Sequence, residues 1–148
     1  MPPILIDTNL LVYAMDYADI HRQDQAIKVL KRLETTGVGR LSVQNLAEFI
    51  HITTRQIRPL LRPSEVIPQV ERLGRAFPVL ELTYPIILEA SRGVRDHLFS
   101  YFDAQLWATA RLNRIPVIFS EDFSHGAYLE GVQFLNPFLK DFDLETWI

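Results

Sequence analysis

With 148 residues, 48% of them hydrophobic, the chain is long enough for one domain that buries roughly 70% of its unfolded surface, and its composition excludes a disordered chain. Cysteine is absent, which excludes disulfides, thiolate catalysis, sulfur-ligated zinc and cysteine-bound iron–sulfur clusters. The net charge of −3 does not favour a polyanionic partner, but once four carboxylates are assigned to a cation the remainder carries +1, so charge alone does not exclude nucleic acid.

The apolar run Ile4-Leu5-Ile6 lacks alternation and predicts a parallel strand covered on both faces, with Asp7 at its C-terminal end. Asp7 interrupts that run too early for a signal peptide, and every later apolar run is too short to span a bilayer. The expectation is a soluble, cytoplasmic protein with no membrane partner and a single domain over residues 1–148.

Leu10–Tyr17 predicts a short helix. Asp19–Thr35 predicts a longer one, with Ala26, Val29, Leu30 and Leu33 on one stripe and Gly37 and Gly39 to end it. Leu41-Ser42-Val43 is a weak strand or a helix approach. Leu46, Phe49, Ile50, Thr53 and Ile57 then recur at helical spacing up to Pro59. Ser64 suits the cap of a helix to about Arg75, with Pro68 tolerated only in a first turn. Phe77–Leu82 reads as a strand. Thr83 caps a helix with Pro85 in its first turn, Ser100 caps Tyr101–Leu112, Val117-Ile118-Phe119 is a buried strand, and Val132–Leu135 is the last strand. This alternation predicts an α/β fold with a mainly parallel sheet and right-handed crossovers.

In such sheets ligands bind beyond the carboxyl ends of the strands, where Asp7 and Asp122 both fall. Asp103 shares the inward stripe of its helix with Leu106, Trp107 and Ala110. A carboxylate pointing inward needs donors or a cation. Several such oxygens would select a hard ion, Mg²⁺ with Mn²⁺ as substitute, and a phosphodiester substrate.

Each residue also has a plainer explanation. Asp7 suits the cap of the helix near Leu10, and Ser100 with Asp103 satisfies a capping-box pattern. Glu48 lies with Gln44, Asn45 and His51 off the apolar stripe, as a solvated glutamate would. Glu121 and Asp122 suit a turn, and either could be the last acid of the cluster. His21, His51, His97 and His125 have no metal-ligand spacing, and Gly37-Val38-Gly39 is a turn rather than a phosphate loop. Arg55, on the face of Glu48, and the pairs Arg92/Arg95 or Arg111/Arg114 could form a phosphate-binding rim, but solvated arginines on an ordinary helix surface are the usual explanation. The apolar tip Trp147-Ile148 is expected to pack on its own domain.

Four segments in order, Ile6-Asp7-Thr8-Asn9, Leu46-Ala47-Glu48-Phe49, Tyr101-Phe102-Asp103-Ala104 and Phe119-Ser120-Glu121-Asp122, followed by Asn136-Pro137-Phe138, carry a resemblance over nearly the whole chain. The chain resembles PIN-domain ribonucleases, and most closely the VapC-type toxins of toxin–antitoxin pairs. The resemblance implies a three-layer α/β/α sandwich around a five-stranded parallel sheet in the order 3-2-1-4-5. It implies cleavage of single-stranded RNA, with Asp7, Glu48, Asp103 and Asp122 as the metal-binding and catalytic quartet. Asn9 and Ser120 are then the hydrogen-bonding residues that orient the quartet. A cognate antitoxin and homodimerisation are implied by the same route.

Two other function classes accommodate an acid after the first strand. A phosphoryl-transfer domain is one, although Asn9 stands where a haloacid-dehalogenase-like phosphatase has a second Asp, and no late Lys of a receiver is visible. A non-catalytic PIN-like binding module for RNA or protein is the other.

Overall fold

In this computed structural model, which describes residues 1–55 and 57–148, the central strand β1 (Ile4–Ile6) is buried along its whole length. The chain then runs through α1 (Thr8–Tyr13), α2 (Ile20–Thr36), β2 (Gly39–Ser42), α3 (Val43–Thr54), α4 (Pro63–Ala76), β3 (Val79–Leu80) and α5 (Tyr84–His97). It continues with α6 (Tyr101–Leu112), β4 (Val117–Phe119), β5 (Tyr128–Leu129), β6 (Val132–Leu135) and α7 (Leu144–Trp147). The sheet order is β3-β2-β1-β4-β6-β5. All pairings are parallel except β5 with β6, and β1 is in register with β4 from Ile4–Val117 to Ile6–Phe119.

Alternation along the strands divides the interior in two. Ile4, Ile6, Val117, Phe119 and Leu135 face a core closed by Leu10, Val29, Leu33, Phe49, Val66 and Leu73 from α1 to α4. Leu5, Ile118, Val132 and Phe134 face the opposite core, closed by Ile86, Ala90, Ala104 and Trp107 from α5 and α6. The result is the expected three-layer sandwich. Among the described residues no helix is long and apolar enough to cross a membrane.

Several boundaries differ from the sequence expectation, each for a local reason. The parallel strands keep the order 3-2-1-4-5 when β6 is taken as the fifth, but β5 adds a sixth, antiparallel edge strand. Its turn is Glu130-Gly131, with φ of 49° and 88°, the left-handed pair that a two-residue hairpin needs. Helix α1 starts at Thr8, because Asp7 caps it, and ends at Tyr13 rather than Tyr17. Gly37 ends α2 in the left-handed conformation, φ 75°, whereas Gly39 belongs to β2 and lies against the Phe77 ring. Helix α3 ends at Thr54, short of Pro59, and Ile57 is exposed.

Pro68 lies inside α4, beyond its first turn. The first turn holds Pro63 instead, Glu65 accepts from the Arg62 backbone N at 3.0 Å, and Val66 and Leu73 are buried. That packing outweighs the lost backbone hydrogen bond of an exposed proline. Strand β3 keeps only two residues of Phe77–Leu82. The C-terminal tip forms α7, and Leu144 and Ile148 enter the first core. Arg32 anchors that tip, pairing with Glu145 at 2.8 Å and the Ile148 carbonyl at 3.0 Å.

Close packing of α5 on α6 depends on Gly93, where a Cβ would stand 2.9 Å from the buried Trp107 ring. Gly93→Val is expected to cost about 1–3 kcal/mol of unfolding free energy in a urea titration. Gly74→Ala, in open space within α4, is expected to add about 0.5–1 kcal/mol. Equal effects at the two positions would contradict the packing described.

Candidate active site

Asp7 leaves the end of β1 next to the end of β4, where its backbone N donates to the Phe119 carbonyl at 3.0 Å. Its side chain caps α1 and is 8% exposed. One carboxylate oxygen accepts from Thr8 N and the other from Ser120 Oγ, both at 2.7 Å. The capping role proposed as an alternative is therefore real, and it coexists with a place in the site.

Burial pushes the Asp7 carboxyl up to about 7. The Ser120 and Thr8 bonds pull the other way and do not cancel it, while the charges of Asp122 and Glu48 raise it further. The main influences on it include no cationic side chain.

Ser120, 1% exposed, is the hub. It donates to Asp7 and accepts from Asp122 N at 3.0 Å and from Asn9 Nδ2 at 3.4 Å. Asn9 also lies near enough to lower the Asp122 carboxyl, and its own Oδ1 is buried without a hydrogen-bond partner. The Asp122 carboxyl is raised first by desolvation and then by the charges of Asp103 and Glu121, against the lowering effect of Asn9.

Adjacent Glu121 is engaged elsewhere. It accepts from the Tyr13 hydroxyl and pairs with Arg22 at 2.8 Å, and the Arg22 guanidinium lies 5.4 Å from the Tyr13 ring centre. Burial and the Glu121 carboxylate together push the Tyr13 hydroxyl up to about 12. Of the two neighbours, only Asp122 lines the cleft with Asp7, Asn9 and Glu48, a space of about 200 Å³.

Glu48 comes from α3 and accepts from Gln44 Nε2 at 2.7 Å. Gln44 in turn accepts from Gln105 Nε2 of α6 at 2.9 Å. Asp103 sits in the first turn of α6, where Ser100 makes no side-chain cap bond, so the capping-box explanation fails for it. It does not line the cleft, but it is near enough to Asp122 to raise that carboxyl.

Among the described residues, no three acidic or imidazole side chains are already gathered into one metal-holding group. Like charges without a counterion stand apart. The donor set still fits a hard divalent cation: it is all oxygen, it contains a buried carboxyl held near neutrality, and it includes the orphaned Asn9 Oδ1.

Three of the five rim candidates are engaged in ion pairs, in keeping with ordinary helix surface. Arg92 pairs with Glu89 and Glu130, Arg95 with Asp96, and Arg111 with Glu89. This network clasps the Glu130 turn to α5 and α6, and Arg92 with His97 holds the Glu130 carboxyl down to about 2. Arg55 remains exposed and contacts His51 at 3.0 Å. Sequence reading assigned no role to Tyr13, Arg22 or Gln105. Only Gln44, one helical turn before Glu48, carried a usable signal.

The PIN domain family profile matches residues 4–127. No curated protein sequence matches the chain. DNA-bound VapBC from Salmonella typhimurium is similar in structure, with TM-score 0.66 and 14% identity over 93% of this chain and 99% of that one. VapC20 from Mycobacterium tuberculosis, described as a Sarcin-Ricin loop cleaving toxin, gives 0.64 and 22% over 86% and 97%. A toxin–antitoxin complex from Klebsiella pneumoniae gives 0.63 and 17% over 90% and 97%. At these identities the likeness is one of fold.

The Asp7 carboxyl titrates near 7 in the folded chain against a reference of 3.8. Its contribution to stability is therefore complete below the unfolded value and is lost as pH rises through the folded one. Metal-free protein in EDTA is expected to lose roughly 2–3 kcal/mol between pH 5 and pH 8 in urea titrations, and Asp7→Asn to flatten that slope. A wild-type profile that rises over this window would contradict the burial of an uncompensated carboxyl.

Proposed function

This chain belongs to the PIN domain family, and from that membership we propose that it is a metal-dependent endoribonuclease, the toxin of a toxin–antitoxin pair. The observation that carries this reading is that Asp7, Glu48 and Asp122 line one cleft at the carboxyl end of the sheet, walled by no cationic side chain among the described residues, with Asp103 close enough to raise the Asp122 carboxyl. The similar folds include VapBC and toxin–antitoxin complexes and a toxin described as cleaving the Sarcin-Ricin loop, which supports an antitoxin partner and an RNA substrate. Homodimerisation and a cytoplasmic location belong to the same reading.

Mg²⁺ is its cation, with Mn²⁺ as substitute, and Asp7, Glu48, Asp103 and Asp122 would hold it. Bound there, the ion supplies Lewis acidity toward the phosphodiester and a water of lowered pKa. The chain's own side chains position the rest. Ser120 fixes one oxygen of Asp7 and the backbone of Asp122, Asn9 holds Ser120 from the other side, and Gln44 orients Glu48. Asp7 holds its proton at a carboxyl oxygen near neutral pH, so cation binding releases a proton at that atom.

A second reading, a PIN-like module that binds RNA or protein without cutting, has one observation in its favour: the acids are not yet gathered. Family membership displaces the phosphatase and receiver alternatives.

Incubation of the purified protein with total cellular RNA is expected to give cleavage with Mg²⁺ or Mn²⁺, none with EDTA, and none with Asp103→Asn. Ser120→Ala is expected to lower the rate about 10- to 100-fold. Cleavage that persists in folded Asp103→Asn would refute the assignment of the quartet. A folded wild type that takes up Mg²⁺ by calorimetry and leaves every RNA intact would favour the binding module.

A further inference from the structure

The apolar groove beside the acids has no assigned role. It is about 650 Å³ in volume and is walled by Val43, Ala47, Leu82 and Phe102. Phe102 is 64% exposed and Leu82 42%, so two large apolar side chains face water at its mouth, the Phe102 ring meeting Tyr101 edge-on at 5.3 Å between centroids. Single exposed apolar residues are ordinary, but a contiguous patch of them beside a site marks a binding surface.

Three features indicate its occupant. Glu48 lines both this groove and the acidic cleft, and Phe102 immediately precedes Asp103, so the groove borders the acids. The groove also carries two amides among its apolar walls: Gln105, 4% exposed, donates to Gln44, which donates to Glu48 and to the Phe102 carbonyl. At the rim stands His51, with the exposed Arg55 guanidinium bonded to it.

An aromatic face and a nearby cation, next to acids suited to a metal-bound phosphodiester, match one nucleotide. The ring can stack on the base, and Arg55 can meet a flanking phosphate, while the amides are already bonded to one another, to Glu48 and to the Phe102 backbone and hold the wall in place. We propose that this groove is a nucleobase subsite, in which a base of single-stranded RNA stacks on Phe102 one nucleotide from the phosphodiester held at the acids. The proposal rests on the nuclease reading and adds to it the element that seats the substrate strand.

The test uses full-length protein in the Asp103→Asn background with Mg²⁺ and a 12-nucleotide single-stranded RNA carrying 2-aminopurine. Binding is read by anisotropy and stacking by quenching of the 2-aminopurine. Phe102→Ala and Phe102→Leu are each expected to weaken binding about 10-fold and to abolish the quench, while Phe102→Tyr stays within about 2-fold of the parent. Leucine keeps the apolar area and loses the stacking face, so it separates a base from an apolar protein side chain. Because Phe102 is exposed, the variants are expected to keep the parent's thermal transition.

Unchanged binding and quench in the Ala and Leu variants, with RNA still cut by the wild type, would overturn the subsite and leave the nuclease standing. No RNA binding by any form, with no cleavage by the wild type, would overturn both. If Phe102→Ala instead shifts the oligomeric state in size-exclusion chromatography and leaves RNA binding intact, the groove is a protein interface and the subsite is likewise refuted.

Discussion

The hydrogen bond from Ser120 to Asp7 is the constraint on which the rest of the site depends. It joins the ends of β1 and β4, strands already paired from Ile4–Val117 to Ile6–Phe119. A parallel pair places both C-termini at the same end of the sheet, and the chain must leave each strand there. At β1 it leaves through Asp7 into α1, and at β4 through Ser120 into the loop holding Asp122. One hydroxyl, using its donor and both acceptor positions, therefore fixes two carboxylates relative to each other. The strand register sets that geometry, and packing on both faces of the sheet sets the register.

Outlying elements serve the same end. The Tyr13–Glu121–Arg22 contacts tie the β4 loop to α1 and α2, so the acid next to Asp122 is occupied and turned from the cleft. The Gln105–Gln44–Glu48 relay ties α6 to α3 across the opposite side. Farther away, the arginines around Glu130 close the β5–β6 turn against α5 and α6 and leave little free cationic charge on that face.

Much of this fold was legible in the residues because it is built from strong local signals. Ile4-Leu5-Ile6 and Val117-Ile118-Phe119 are buried on both faces and read as continuous apolar runs. Thr83 and Asp19 accept from the backbone of the helices they precede, at Ile86 and Arg22 respectively. The misses occur where tertiary packing overrides local preference. Pro68 is tolerated in α4 because Val66 and Leu73 anchor the helix, and two-residue β5 exists only because β6 is beside it. The candidate site was legible as acids at two strand ends, in one helix start and, with Glu48, inside a helix, but their partners were not. Gln105 reaches Gln44 from 61 residues away, and Glu121 reaches Arg22 from 99. No periodicity encodes such pairs. The choice between Glu121 and Asp122 likewise depended on where Tyr13 and Arg22 lie.

The state of Asp7 links fold and chemistry. A carboxyl that titrates near 7 because burial outweighs two hydrogen bonds lowers the stability of the chain at neutral pH. A fold selected for stability alone would place an apolar residue or a neutral cap there. Retaining the acid makes sense when a ligand that binds only the folded chain restores the lost free energy, as a cation does by mass action. The same argument explains why the acids stand apart. Held closer, they would repel one another further without a counterion, and the hydrogen bonds of Asp7 to Ser120 and of Glu48 to Gln44 set their orientation where they stand.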